Sequence, residues 1–218
     1  MKVGVLYAMA KEASGLLAKV QAKPLPVQAG MALYALGGGH ILCVGGVGKV
    51  NAAMAAQLLI DRFGIEAILN AGCVGALDPA LPIGTVVAAT HCVQHDVDTT
   101  LCGDPPGLVS TVNVVEFPCS LPAVPGLTPG VVATGDWFGR DFSRAHAIQE
   151  RFGALVCDME AGAAAQVCLR HSIPFLALKA VSDHLLSPDQ GREYQENFSA
   201  AMEALDRAVA AAMQEMED

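Results

Sequence analysis

Short apolar runs rich in β-branched residues alternate along this chain with longer, alanine-rich stretches of helical periodicity, and no other feature constrains the fold as tightly. A strand that reads as an unbroken apolar run has two faces to bury, and helices packed on both sides of a sheet supply the cover. The runs "KVGVLYA", "EAILNAG", "GVVATGD", "ALVCD" and "FLALKAVSD" read as strands, and "GTVVAATHCVQHDVD" as a long one. "KEASGLLAKV", the stretch from about Val47 to Phe63, "SRAHAIQERF", the segment following "DMEA" and the stretch from about Glu193 to Met216 read as helices. Gly64 stands where the second helix should stop, and Gly37-Gly38-Gly39 where a hairpin should turn inside "MALYALGGGHILCVGG". The expected architecture is α/β, in three layers, with a central mixed, mostly parallel twisted sheet flanked by helices. From Thr99 to Pro129 proline and glycine are frequent and helical periodicity disappears. Only "STVNVVEF" has strand character there, so the segment reads as an excursion loop.

Bulk properties narrow the function classes. A chain of 218 residues suits one domain spanning residues 1–218, and 53% hydrophobic against 16% charged residues argues against disorder. A formal charge of -9 with no visible basic patch argues against nucleic acid and anionic membrane surfaces as partners. The seven cysteines are odd in number, form no C-x-x-C pair and sit mostly in apolar runs, as expected of buried hydrophobes in a reducing compartment. The apolar "VGVLY" after Lys2 is too short for a secretion signal and runs into Lys11-Glu12, and no apolar run reaches transmembrane length. A soluble cytoplasmic protein is the expectation.

In open α/β sheets ligands bind beyond the carboxyl ends of the strands. Glu12 follows the first strand there, Asp158 and Glu160 bracket Met159 at a helix start, and Asp183 ends "FLALKAVSD". Glycines gather at the same edge, in "GGVGKV", "NAGCVGAL" and "TGD", where a missing side chain lets backbone approach a ligand. Each acid also has an ordinary reading. Asp158 suits an N-cap, while Glu160 and Glu12 suit first-turn acids favoured by the helix dipole. Asp183 is harder to set aside, because an unpaired carboxylate ending a strongly apolar strand is costly. Other motifs fail. "GGVGKV" lacks the earlier P-loop glycine and has Val50 where Ser or Thr would hold magnesium, and no G-x-G-x-x-G follows the first strand. Ser182-Asp183-His184 are strand neighbours that point to opposite faces and cannot form one triad. The spacing of His91, Cys92, His95, Asp96 and Asp98 fits no zinc pattern, which leaves them structural or substrate-lining roles.

"GVLYAMAKE", "GGVGKVNAA", "NAGCVGAL", "QHDVD", "TGDWF", "DMEA" and "KAVSD" together resemble, in order and approximate spacing, the nucleoside phosphorylase superfamily. The resemblance is nearest to its 5'-methylthioadenosine/S-adenosylhomocysteine nucleosidases and covers the chain outside the excursion loop. It implies hydrolytic release of adenine from such nucleosides, no metal or organic cofactor, and a homodimer. By the same resemblance "DMEA" binds ribose, with Met159 against the sugar and Glu160 accepting its hydroxyls. Phe138 stacks on the base and the Gly139 backbone bonds its edge, while Met9, Val47 and Gly75 line the pocket. Tyr194 or Phe198 caps the 5' substituent. The chemistry then asks for a proton donor at the base and anionic groups near the sugar. Asp183, at the end of a buried strand, is suited to stay protonated and protonate purine N7, and Glu12 to activate water as general base. Lys179 shares a strand face with Asp183 by simple alternation and supports the water or a carboxylate, at a position where the family often shows Arg. This chain departs from the family with Cys73-Val74 where Ser-Ala is usual, with Trp137 where a small residue is usual, and with a shortened loop.

Three other readings fit the same motifs. Phosphorolysis needs cationic groups around phosphate, yet Asn70 stands at a position where a phosphorylase would show Arg, and Lys49 is the only basic residue near a glycine loop. A futalosine-type nucleosidase is a further enzyme alternative, distinguished by comparing substrates that carry different 5' groups. A non-catalytic nucleoside-binding protein on the same fold would not need both a buried acid and a base facing water.

Overall fold

A computed structural model describes residues 1–120, 122–139 and 141–217. Strand β1 (Val3–Tyr7) is buried at every residue and lies parallel between β4 (His40–Val44) and β5 (Ala67–Ala76). β5 also pairs in parallel with β10 (Phe175–His184), which pairs antiparallel with β6 (Val86–Gln94). β6 runs parallel to β8 (Thr128–Thr134) and β8 to β9 (Ala154–Asp158), and β9 returns to β5 through a short antiparallel contact, Gly75 with Cys157 and Ala76 with Val156. These pairings close a circuit. Two sets of parallel strands run toward each other within it, so the carboxyl ends of β5, β9 and β10 converge. β3 (Met31–Gly37) and β2 (Lys23–Gln28) extend the sheet beyond β4.

The expected α/β organisation, a large sheet flanked by helices, is present. Helices α2 (Lys49–Phe63) and α4 (Ala161–His171) bury Ala52, Ala55, Ala56, Leu59, Ala161, Ala164 and Cys168 in the core on one face. Helices α1 (Ala10–Lys19) and α5 (Gln190–Glu217) bury Ala13, Leu16, Ala201, Leu205 and Val209 on the other, and α3 (Phe142–Phe152) packs Ala145 and Ile148 near the ends of β8 and β9. The small side chains of α4 have a direct purpose. A Cβ on Gly162 would lie 3.0 Å from Thr134 Cβ on β8 and 3.0 Å from Gln94 Cγ on β6. Gly64 adopts the left-handed conformation (φ 63°) and closes α2 with its N–H on the Ile60 carbonyl.

One strand is additional to those expected, and the expectations for the excursion loop and for β5 are corrected. "KPLPVQ" forms the edge strand β2, largely exposed and carrying two prolines; an edge position tolerates a residue that cannot donate to a ladder. "STVNVVEF" contributes only its end to β7 (Glu116–Pro118), with an isolated bridge between Val109 and Val114, and β8 begins inside the segment read as loop. β5 continues past Gly72 to Ala76 because β10 pairs along that whole length. Among the described residues no helix is long and apolar enough to cross a membrane.

Gly162→Val should lower stability by about 1–3 kcal/mol, since the helix must back away from Thr134 and Gln94. Denaturant unfolding measures this, and an unchanged midpoint would show that α4 is not held close to β8.

Candidate active site

A cavity of about 360 Å³ opens where the strand ends converge. It is lined by Ala8, Met9, Glu12, Val47, Cys73, Val74, Gly75, Trp137, Phe138, Cys157, Asp158, Met159, Glu160, Ser182, Asp183, Leu185, Gln190 and Tyr194. The structure thus brings Met9, Glu12, Val47, Gly75, Phe138, Met159, Glu160, Asp183 and Tyr194 to one place, and leaves Gly139 and Lys179 outside the lining.

Glu12 is the third residue of α1, and its carboxylate turns back to accept the Met9 N–H at 3.0 Å, one half of a capping box. Its other oxygen accepts the Cys73 N–H at 3.0 Å and the Cys73 thiol at 3.2 Å. With 2% of its surface exposed, Glu12 is not a solvated first-turn acid. Burial, reinforced by the Glu12 carboxylate, pushes the Cys73 thiol up, so the sulfur serves as a neutral donor to Glu12.

Glu160 stands at the cap of α4, 8% exposed, and accepts the Gly48 N–H at 2.8 Å. Burial and the neighbouring Asp158 raise its carboxyl to about 7. Asp158 is not the N-cap, a position held by Glu160, but its carboxylate accepts the first helical N–H, that of Ala161, at 2.8 Å, and it does more. Its Oδ1 accepts the Thr134 hydroxyl at 2.5 Å, and Oδ2 lies 2.8 Å from the Lys179 ammonium, both side chains being 1% exposed. Thr134 Oγ1 in turn accepts the Gly162 N–H at 2.7 Å, so every member of this buried cluster has a partner.

Asp183 is 2% exposed and accepts the Ser182 hydroxyl at 2.6 Å and the Gln190 side-chain amide at 3.0 Å. Both bonds favour the carboxylate, yet burial outweighs them and holds its carboxyl above the usual range. The expectation that Lys179 shares a face with Asp183 is corrected. Register along β5 jumps from Val181–Val74 to Asp183–Gly75, a bulge at Ser182 that reverses the alternation. Lys179 therefore points into the α2/α4 side and meets Asp158, while Asp183 meets Gln190 from α5.

Two residues fix the Gly48 loop: Asp96, read from the sequence as structural or substrate-lining, and Asp136, which had no assigned role there. Asp96 accepts the Lys49 ammonium at 2.6 Å and the Asp136 N–H at 3.1 Å, and Asp136 accepts the Lys49 N–H at 2.8 Å. The motifs "QHDVD" and "TGDWF" flagged both positions, but nothing local in them says that they staple a loop to Glu160. Gln190 had no signal beyond being a buried amide at the start of α5. Among the described residues no group of three or more His, Cys, Asp or Glu is placed to hold a metal ion.

The family model described as "Phosphorylase superfamily" matches residues 2–214. The 5'-methylthioadenosine/S-adenosylhomocysteine nucleosidase of Psychromonas ingrahamii is 34% identical over 84% of this chain and 86% of its own. The solved structure of such a nucleosidase from S. pneumoniae, with the transition-state inhibitor MT-ImmA, superposes with a TM-score of 0.90 at 26% identity, over 99% of this chain and 100% of that one. Its counterpart from Colwellia psychrerythraea, in complex with adenine, gives 0.89 at 27% identity over 99% and 95%. The family match takes in every strand whose end reaches the cavity, and the chain belongs to the phosphorylase superfamily.

Proposed function

We propose that the protein hydrolyses the N-glycosidic bond of adenine nucleosides such as 5'-methylthioadenosine and S-adenosylhomocysteine, releasing adenine and a free ribose derivative. The observation that carries this reading is the convergence of Glu12, Glu160 and Asp183, each in a different environment, on one cavity. Cleaving the bond builds positive charge on the ribose and negative charge on the departing purine. Asp183, kept protonated by burial, gives its proton to purine N7, and the hydroxyl of Ser182 and the amide of Gln190 then stabilise the carboxylate that is left. Glu12, oriented by Met9 and Cys73, takes a proton from the attacking water. Glu160 has one oxygen on Gly48 and uses the other for the ribose hydroxyls, while Met159 lies against the sugar and Phe138 over the base.

Hydrolysis is favoured over phosphorolysis because none of the described lining residues is Lys or Arg, and the nearby Lys49 is committed to Asp96. The relatives' names point the same way. The chemistry calls for no metal or organic cofactor, and the chain acts as one domain. A second copy is the natural cover for exposed apolar residues that include two of the cavity lining, Val47 at 44% and Phe138 at 60%, with Val50 at 77% and Met54 at 40% on α2 and Phe142 at 43% on α3.

Asp183→Asn should still bind substrate but lose about 10²- to 10⁴-fold in kcat, measured as adenine release by chromatography. Turnover within a few-fold of the unchanged protein would remove Asp183 from the acid role. Lys179→Met should cost about 3–5 kcal/mol in denaturant unfolding, because it strands the buried Asp158 carboxylate. A loss below about 1 kcal/mol would mean that Asp158 is not charged in the folded protein.

A further inference from the structure

The mouth of the cavity carries a group that the proposed hydrolysis does not use. Tyr194, a lining residue, packs edge-on against Phe138 at 6.0 Å and Phe198 at 5.7 Å between ring centroids. The ammonium of Lys11 sits over the Tyr194 and Phe198 rings, 4.6 and 4.4 Å from their centroids. Lys11 is exposed and takes part in none of the ion pairs among the described residues. It immediately precedes Glu12 on α1, and Met9, two residues earlier, lies 4.0 Å through its sulfur from the Tyr194 hydroxyl. Lys11 is thus parked, by attraction to two aromatic faces, on the outer side of the wall that Met9 and Tyr194 build.

Every charged residue in the described lining is acidic: Glu12, Asp158, Glu160 and Asp183. The chain as a whole carries -9. An anionic group approaching this cavity finds a cation only at its rim, where Lys11 lies over Tyr194 and Phe198 and Arg144 over Trp137. We propose that Lys11 is a specificity residue that recognises a carboxylate at the far end of the substrate's 5' substituent, favouring thioether nucleosides with an amino-acid tail, such as S-adenosylhomocysteine, over the methylthio nucleoside. The inference rests on the nucleosidase reading above. With the purine at Asp183 and the ribose hydroxyls at Glu160, on this reading the 5' carbon is directed past Met9 and Tyr194, the lining residues beside Lys11. A methylthio group ends within that apolar wall. A homocysteine chain continues beyond it and brings its carboxylate to the side where Lys11 stands, with its α-ammonium free to face solvent. The contact is exposed and screened by salt, so its effect is a factor of a few. It lies far from the bond that breaks, so the effect falls on KM and not on kcat.

Arg144 provides the comparison, because it is another cation stacked on a lining ring, 4.8 Å from the centroid of Trp137. Steady-state kinetics with both nucleosides on the full chain, Lys11→Gln and Arg144→Gln test the proposal. Lys11→Gln should raise KM for S-adenosylhomocysteine roughly three- to five-fold, with kcat and the methylthioadenosine constants unchanged, and added salt should shrink the difference. The proposal is overturned if Lys11→Gln leaves KM for S-adenosylhomocysteine unaltered, if both substrates respond equally, or if Arg144→Gln alone produces the effect. Those outcomes leave hydrolysis intact. Failure of the unchanged protein to release adenine from either nucleoside sinks the nucleosidase reading itself.

Discussion

Lys179 enters the interior from β10 with 1% of its side chain exposed and places its ammonium 2.8 Å from Asp158 Oδ2. Burial alone would drive that lysine toward neutrality, but the carboxylates of Asp158, Glu160 and Glu12 outweigh it and its pKa ends above the ordinary value. A buried pair of this kind is weak as a source of stability and strong as a geometric constraint, because each charge is tolerable only while the other stays in place. Asp158 spends its remaining capacity on Thr134 of β8 and on the first N–H of α4. One ion pair therefore ties β8, β9, β10 and the start of α4 together at the point where the strand ends meet.

The rest of the site is set out from that anchor. Glu160 follows Asp158 by two residues, so fixing the helix start fixes the carboxylate that faces the cavity, and the Gly48 loop, held by Asp96 and Asp136, brings an N–H to it. The bulge at Ser182 lets one strand serve both sides of the sheet, with Lys179 directed at the α2/α4 core and Asp183 at α5. Without it the lysine and Asp183 would face the same way, where the ammonium would favour the ionised form of the group that has to hold a proton. The bulge thus keeps the Lys179 ammonium apart from Asp183 although both belong to one strand.

Much of this was legible in the chain. Unbroken apolar runs marked the buried strands, alanine-rich segments marked the helices that pack closely on them, and Gly64 marked a helix end. Glu12, Asp158, Glu160 and Asp183 stood just past or at strand ends, and all four line one cavity. What stayed hidden has non-local causes. β2 carries two prolines and little buried surface, and it is a strand only because β3 offers an edge. Period-two alternation placed Lys179 beside Asp183, but the register of β10 is dictated by its pairing with β5, which no local pattern records. Asp158 read as a cap because its immediate neighbours say so; its partner Lys179 is 21 positions away on another strand. Asp96 meets Lys49, 47 positions away, only through the fold, and Gln190 reaches Asp183, seven residues earlier, because the chain turns back from β10 into α5.

The account turns on acids that keep different protonation states within one cavity. Isotope-edited infrared titration of the carboxyl groups, with Asp183→Asn and Glu160→Gln spectra to assign the bands, reads those states directly. The account predicts that Glu160 loses its proton near pH 7 in the unliganded protein, and that the Asp183 carboxyl band persists above the ordinary aspartate range. Both groups titrating together near pH ~4, as free carboxylates do, would contradict it.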